Sequence, residues 1–133
     1  IVLVEASERE IIKTLEAFSP SDAKREKEDE EQLSDLFERR GLIPEERAKK
    51  RGGFDFVFGE DRIAVELKAA RNPRALSRLA DKISKHLDRY EKIFAVVIDE
   101  TGTPEKTKEK IEKIEKMNPK KVKVLVKKAK KKK

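Results

Sequence analysis

Three residues in this chain have the types and the spacing for phosphate chemistry: Asp55, Glu66 and Lys68. Side chains alternate between the two faces of a strand. In the stretch Ile63–Ala69, Ile63, Val65 and Leu67 therefore point one way, and Ala64, Glu66 and Lys68 the other. Glu66 and Lys68 become neighbours on one face, about 7 Å apart along the strand. In the stretch Phe54–Phe58, the three phenylalanines Phe54, Phe56 and Phe58 share one face, and Asp55 and Val57 share the other. A tight turn at Gly59-Glu60-Asp61-Arg62 joins the two stretches into a hairpin and sets Asp55 close to Glu66. Two carboxylates and an ammonium on one face suit phosphodiester hydrolysis. A hard cation such as Mg²⁺ takes carboxylate oxygens and keeps several waters. Such an ion polarises a phosphate and lowers the pKa of a bound water. A lysine beside it orients that water, helps deprotonate it, or offsets charge on the pentavalent phosphorus.

The ordinary reading of the same residues is chance. Asp, Glu and Lys abound here, and pairs such as Glu112-Lys113 and Glu115-Lys116 read as solvated helix faces. Two features favour chemistry at the hairpin. Its strands are otherwise strongly apolar, where a charge is costly unless it is used. Gly52-Gly53, just before, lets backbone approach closely.

The elements that must position these residues follow from apolar periodicity. Ile1–Val4 is a short apolar run that reads as a strand. Ser7–Phe18 reads as a helix, with Ile11, Ile12, Leu15 and Phe18 on one side. Ser19-Pro20-Ser21-Asp22 is a break, with Ser21 or Asp22 as the cap of a second helix that runs from about Ala23 to Arg40. That helix stops at Gly41, a C-terminal cap. Its second half carries Leu33, Leu36 and Phe37, and its first half is almost all charge. Leu42-Ile43 reads as a short strand closed by Pro44, and Glu45 to Gly53 as a polar loop. After the hairpin, Asn72-Pro73 starts a helix to about Tyr90, with Leu76, Leu79, Ala80, Ile83, Leu87 and Tyr90 at helical spacing. Ile93–Ile98 is a continuous apolar run, hence a strand buried on both faces. Thr103-Pro104 starts a last helix to about Met117, with Ile111 and Ile114 inward, and Val122–Val126 is a last strand. The sum is an α/β domain: a mixed sheet with helices packed on it.

Composition narrows the classes. A chain of 133 residues fits one domain. No apolar run approaches the roughly 20 residues that cross a bilayer, and no signal-peptide pattern is present. The first residue is Ile1 rather than Met, which reads as a processed chain or a piece of a larger protein. The absence of cysteine excludes disulfides, Cys-ligated zinc and Cys nucleophiles, and a reducing, cytoplasmic home is the expectation. Charged residues make up 46%, against roughly 25% in ordinary domains, and Asn, Gln and Met are limited to Asn72, Asn118, Gln32 and Met117. This bias resembles that of proteins from hot environments. The net charge of +7 is local: residues 118–133 hold nine lysines and no acid, which leaves 25 basic against 27 acidic groups elsewhere. The lysine tail either holds polyanions through counterion release or is a solubilising end, and both readings stay open.

The stretch GGFDFVFGEDRIAVELK resembles the core of the PD-(D/E)XK nuclease superfamily, which includes restriction endonucleases and the archaeal Holliday junction resolvases. Its pattern is an Asp starting one strand of a hairpin and Glu-x-Lys on the next. Here these are Asp55, then Glu66-Leu67-Lys68. The proline that names the family is absent, and Phe54 stands before Asp55. The family core runs helix, three-stranded meander, helix, strand, and the elements read from about residue 23 to 98 match it. The resemblance implies a restriction-endonuclease-like mixed central sheet flanked by helices, with core order αβββαβ plus an extra helix and strand. Residues 23–126 would form this domain, after an extension over 1–22 and before a basic tail at 127–133. It further implies a Mg²⁺- or Mn²⁺-dependent nuclease in which Asp55 and Glu66 bind metal and Lys68 serves the attacking water. Many members add a Glu from the first helix. Glu30 takes that place, Glu31 is the runner-up, and a solvated acidic helix end remains the alternative. Some branches carry Gln-x-x-x-Tyr on the following helix. This chain has His86-x-x-x-Tyr90, so no role is carried over: Tyr90 is expected in the core and His86 at the surface.

DNA is the implied substrate, cut by structure or with weak sequence preference, and a homodimer is the expected assembly. Arg47, Lys49, Lys50 and Arg51 before the site, and Arg71, Arg74 and Arg78 after it, are candidates to hold the phosphate backbone, although some of them balance the acidic helix. No aromatic stacking platform or groove-reading motif stands out. Two other functions compete with cleavage. One is a nucleic-acid-binding module with the same fold and no catalysis; the other is an interaction domain of a larger machine.

Overall fold

The computed structural model describes residues 2–20, 26–44, 53–59 and 62–128. Eight elements follow one another: α1 (Val2–Ala17), α2 (Glu26–Arg39), β1 (Phe56–Phe58), β2 (Ile63–Ala70), α3 (Pro73–His86), β3 (Lys92–Asp99), α4 (Pro104–Lys116) and β4 (Val122–Lys127). The four strands form one mixed sheet in the order β1-β2-β3-β4. β1 and β2 are antiparallel, and β2, β3 and β4 run parallel. Parallel neighbours need a crossover, and α3 and α4 supply it.

Alternation along the strands sorts the core into two layers. Phe56 and Phe58 of β1, Ile63, Val65 and Leu67 of β2, and Phe94, Val96 and Ile98 of β3 meet Ile11, Leu15 and Phe18 of the α1 region and Leu33 and Phe37 of α2. Phe37 packs edge-on against both Phe56 and Phe58, at centroid distances of 5.2 and 5.0 Å, the geometry aromatic quadrupoles favour. On the other face Val57, Ala64, Ala70, Ile93, Ala95, Val97 and Val122 pack against Leu76, Leu79 and Ile83 of α3 and Ile114 of α4. β3 is buried at six consecutive positions, Ile93–Ile98, as its unbroken apolar run requires of a strand covered on both sides.

Local chemistry explains the helix ends. Gly41 takes φ 77°, and the N–H groups of Gly41 and Leu42 return to the carbonyls of Glu38 and Phe37. This paired closure satisfies the last carbonyls of α2 and needs a residue without Cβ penalty at Gly41. Asn72 caps α3, its side chain accepting from the Ala75 N–H, with Pro73 at the first helical position.

Several expectations are corrected. The run at the N-terminus is helical from Val2, not a strand: four apolar residues fit either period, and continuity with the amphipathic stretch that follows decides for the helix. Leu42-Ile43 is not a strand. The Leu42 N–H is spent closing α2, Leu42 packs on the core, and Ile43 is 83% exposed. Among the described residues no strand precedes β1, so the expected αβββαβ core is observed as ααββαβαβ when all eight elements are counted. α3 ends at His86, with Leu87 to Arg89 in a turn, and Lys121 donates to the Leu87 carbonyl. Tyr90 is nevertheless buried, delivered by that turn. The second helix begins, as described, at Glu26; its expected caps Ser21 and Asp22 lie outside the described residues, as do Glu60 and Asp61 of the hairpin turn, residues 45–52 of the polar loop and residues 129–133 of the tail. Among the described residues no helix is long and apolar enough to cross a membrane.

Candidate active site

The hairpin register pairs Phe56 with Val65, Val57 with Ala64 and Phe58 with Ile63, and Gly59 turns the chain with φ 65°. The backbone ladder ends at Phe56. β2 continues for five more residues, fully paired with β3 on one side only. On its other side, side-chain carboxylates replace a strand. The Leu67 N–H donates to Asp55 Oδ2 (2.8 Å), and the Ala69 N–H donates to Glu26 Oε1 (2.7 Å). The Asp55 N–H in turn donates to Glu66 Oε1 (3.0 Å). Asp55 and Glu66 are thus interlocked, each bound to the backbone at or beside the other.

This arrangement departs from the expected strand in one respect. Asp55 sits in a bend, so Phe54 leaves the face of Phe56 and Phe58 and joins the opposite layer. Its ring lies edge-on to Tyr90 (5.2 Å) and His86 (5.5 Å). His86 is half-buried rather than at the surface, with Nδ1 2.9 Å from the Lys82 carbonyl oxygen.

A lysine completes the cluster. Lys82 of α3 donates from Nζ to Glu66 Oε2 (2.5 Å) and to the Gly53 carbonyl (2.9 Å), and the same ammonium lies 5.3 Å from the centre of the Phe54 ring. Glu66 is 6% exposed, so its charge needs such a partner. Lys68 lies two residues along the same strand, opposite Val97 of β3 and half-buried. Among the described residues its ammonium has no hydrogen bond or ion pair.

The electrostatics follow from this crowding. Burial pushes the Asp55 carboxyl well above the usual carboxylate range. The neighbouring Glu66 charge and, more weakly, that of Glu30 add to the rise, against the lowering effect of the Leu67 N–H. Glu30 is half-buried on α2, and its charge acts on Asp55; Glu31 is exposed. Asp29, not Glu30, is the buried acid of α2. It is 2% exposed, its Oδ1 has no partner among the described residues, and its pKa is raised to about 6 by burial first, then by Glu100, Glu28 and Glu26.

The seven candidate backbone contacts divide. Arg47, Lys49, Lys50 and Arg51 lie outside the described residues. Arg71, Arg74 and Arg78 are exposed, and Arg71 is 3.5 Å from Glu100. Glu26, Asp29 and Lys82 were not among the sequence candidates. A signal for the acids exists: the stripe Phe37, Leu33 continued backward at helical spacing reaches Asp29 and then Glu26. Lys82 flanks the apolar stripe of Leu79 and Ile83, where a long side chain folds back onto the sheet.

Two carboxylates are the donor set Mg²⁺ takes when waters and a substrate phosphate complete its shell. Asp55 and Glu66 fit that requirement. A cage built from protein alone does not fit: among the described residues no group of three or more Asp, Glu or His side chains is arranged to hold an ion. Comparison with models of known families, with curated proteins and with solved structures finds no match.

Proposed function

We propose that this chain is a Mg²⁺- or Mn²⁺-dependent nuclease of the PD-(D/E)XK type, acting on DNA in the cytoplasm. The observation that carries the reading is the interlocked pair Asp55–Glu66 at the point where the hairpin ladder stops, with Lys68 next on the same strand. The α/β architecture, a four-stranded mixed sheet with helices on both faces, is compatible with a restriction-endonuclease-like fold. Asp55 and Glu66 would hold the ion, with Glu30, whose charge acts on Asp55, as the further acid. When bound, that ion supplies phosphate polarisation and a more acidic water. The chain's own part is to hold two acids against their mutual repulsion, and to present an ammonium without a described partner to the water and the scissile phosphate. Arg71, Arg74 and Arg78 supply positive charge along the start of α3, for contacts with the backbone. A homodimer would set two such sites against a branched or duplex substrate.

The test is cleavage of supercoiled, branched and single-stranded DNA at elevated temperature, with Mg²⁺, Mn²⁺ or EDTA. Native protein should cut only with metal, and both Asp55→Asn and Lys68→Ala should lose the activity. A second reading, a nucleic-acid-binding module without catalysis, is favoured by one observation: Lys82 already neutralises Glu66. It predicts metal-independent DNA binding that weakens steeply with salt and ignores both substitutions.

A further inference from the structure

The acidic pair carries its own counter-charge. Lys82 Nζ touches Glu66 Oε2, the Gly53 carbonyl oxygen and, through its charge, the face of Phe54. The first of these contacts is to a Glu66 carboxylate oxygen, the kind of atom that a divalent cation held by Asp55 and Glu66 also needs. The Glu66 side chain is 8% exposed and that of Lys82 28%, so the lysine is the more solvent-accessible member of the pair. We propose that Lys82 is a built-in competitor for the divalent cation: it occupies Glu66 Oε2 in the metal-free protein, retreats when the ion binds, and so sets the affinity of the pair. The inference rests on the reading of Asp55 and Glu66 as a divalent-cation pair.

Two physical points support it. An ammonium and a divalent ion on the same carboxylate oxygen repel each other inside a poorly solvated site, so both cannot hold it at full strength. The displaced ammonium is not stranded, because the Gly53 carbonyl and the Phe54 ring face remain as partners and a lysine stem has the freedom to swing toward water. Lys68, on the strand itself, has no such second anchorage among the described residues.

The experiment is calorimetric titration of the full chain with Mn²⁺, together with thermal melting in EDTA and in saturating Mn²⁺. Four variants join the native protein: Lys82→Met, Lys82→Gln, Lys82→Arg and Asp55→Asn. Lys82→Met should bind Mn²⁺ about tenfold more tightly than the native chain. It should also melt lower in EDTA and gain more from Mn²⁺. Lys82→Gln keeps a donor for Glu66 without the charge, so it serves if the methionine variant does not fold, and it should also bind more tightly. Lys82→Arg should match the native affinity. If native protein binds Mn²⁺, Asp55→Asn abolishes binding, and both uncharged Lys82 variants bind no tighter, the competitor role is overturned while the metal pair stands. If neither native nor Lys82 variants bind Mn²⁺ at millimolar concentration, the metal pair and the competitor fall together.

Discussion

The two halves of β2 are one strand under two regimes. Over Ile63–Val65 the backbone is paired on both sides by strands, and the side chains are buried and apolar. Over Glu66–Ala70 no described strand lies on one side, and the carboxylates of Asp55 and Glu26 take the N–H groups of Leu67 and Ala69. In the first half stability comes from burial. In the second, three acids converge on an edge, and one of them, Asp55, has its carboxyl pushed up by burial and then by the Glu66 charge. The difference shows how a sheet edge is finished without a strand: the described β1 ladder stops early, and acids take the next backbone N–H groups. Such acids bind backbone N–H groups well, and they repel one another, so this half resists being folded and charged together.

Substitutions can break or sharpen this contrast. The largest effect belongs to the apolar half. Phe37→Ala removes the ring wedged against Phe56 and Phe58 and should cost about 3–5 kcal/mol in urea unfolding. A loss under about 1 kcal/mol would mean that this layer does not dominate stability. In the acidic half the expected sign reverses. Asp55→Asn retains an oxygen for the Leu67 N–H and removes a repelled charge. Metal-free protein should gain about 1–2 kcal/mol at pH 8, after allowance for the partly exposed position, while the proposed metal-dependent cleavage falls at least about a hundredfold. A destabilised variant would show that the pair is held by attraction, through Lys82, more than it is strained by repulsion.

Asp29 gives a smaller and pH-defined effect. Its folded-state pKa, about 6, lies above the ordinary 3.8, so the folded state holds a proton that the unfolded chain releases. Stability contributed by that proton is fully present below about pH 4 and lost as pH rises through 6. Asp29→Asn should therefore stabilise by about 1–2 kcal/mol at pH 7 and by nothing measurable at pH 3.5, read from urea midpoints at the two pH values. Equal gains at both would exclude charge as the cause. The smallest effect concerns the substitute ladder itself. Glu26→Ala strands the Ala69 N–H and should cost about 1 kcal/mol, whereas Glu26→Gln, which still offers an oxygen, should stay near the native midpoint.

How much of this was legible beforehand depends on range. Period-two and period-3.6 patterns located both hairpin strands, β3, α3 and α4, and alternation along β2 put Glu66 and Lys68 on one side. Asp55 beside Glu66 followed from a turn of the right length. What failed was local competition. Leu42-Ile43 has strand-like residues, but the Leu42 N–H is worth more closing α2 behind Gly41 than in a ladder. The alternation that puts Phe54 with Phe56 and Phe58 stops at the Asp55 bend, and strand ends are where alternation gives least warning. Glu26 and Lys82 touch the site from elements separated from it by long stretches of chain: helical spacing puts them beside the apolar stripes of α2 and α3, but which backbone or side-chain partner each meets is set by tertiary packing. The acidic run at the start of α2 illustrates the point: its members look alike in sequence, yet Asp29 is buried, Glu30 half-buried and Glu31 exposed.

The order β1-β2-β3-β4 in space repeats the order in the chain, and this bears on how the molecule is made. None of the four described strands has to be inserted between two that are already paired, and each pairing closes over a short connection or a single helix. Closure entropy rises only slowly with such spacings, so each strand can dock on its predecessor as it emerges during synthesis. Refolding should then be fast for a partly parallel sheet. The central strands would assemble with α3 and α4 as a unit, and the acid-capped end of β2 would be among the last places to settle.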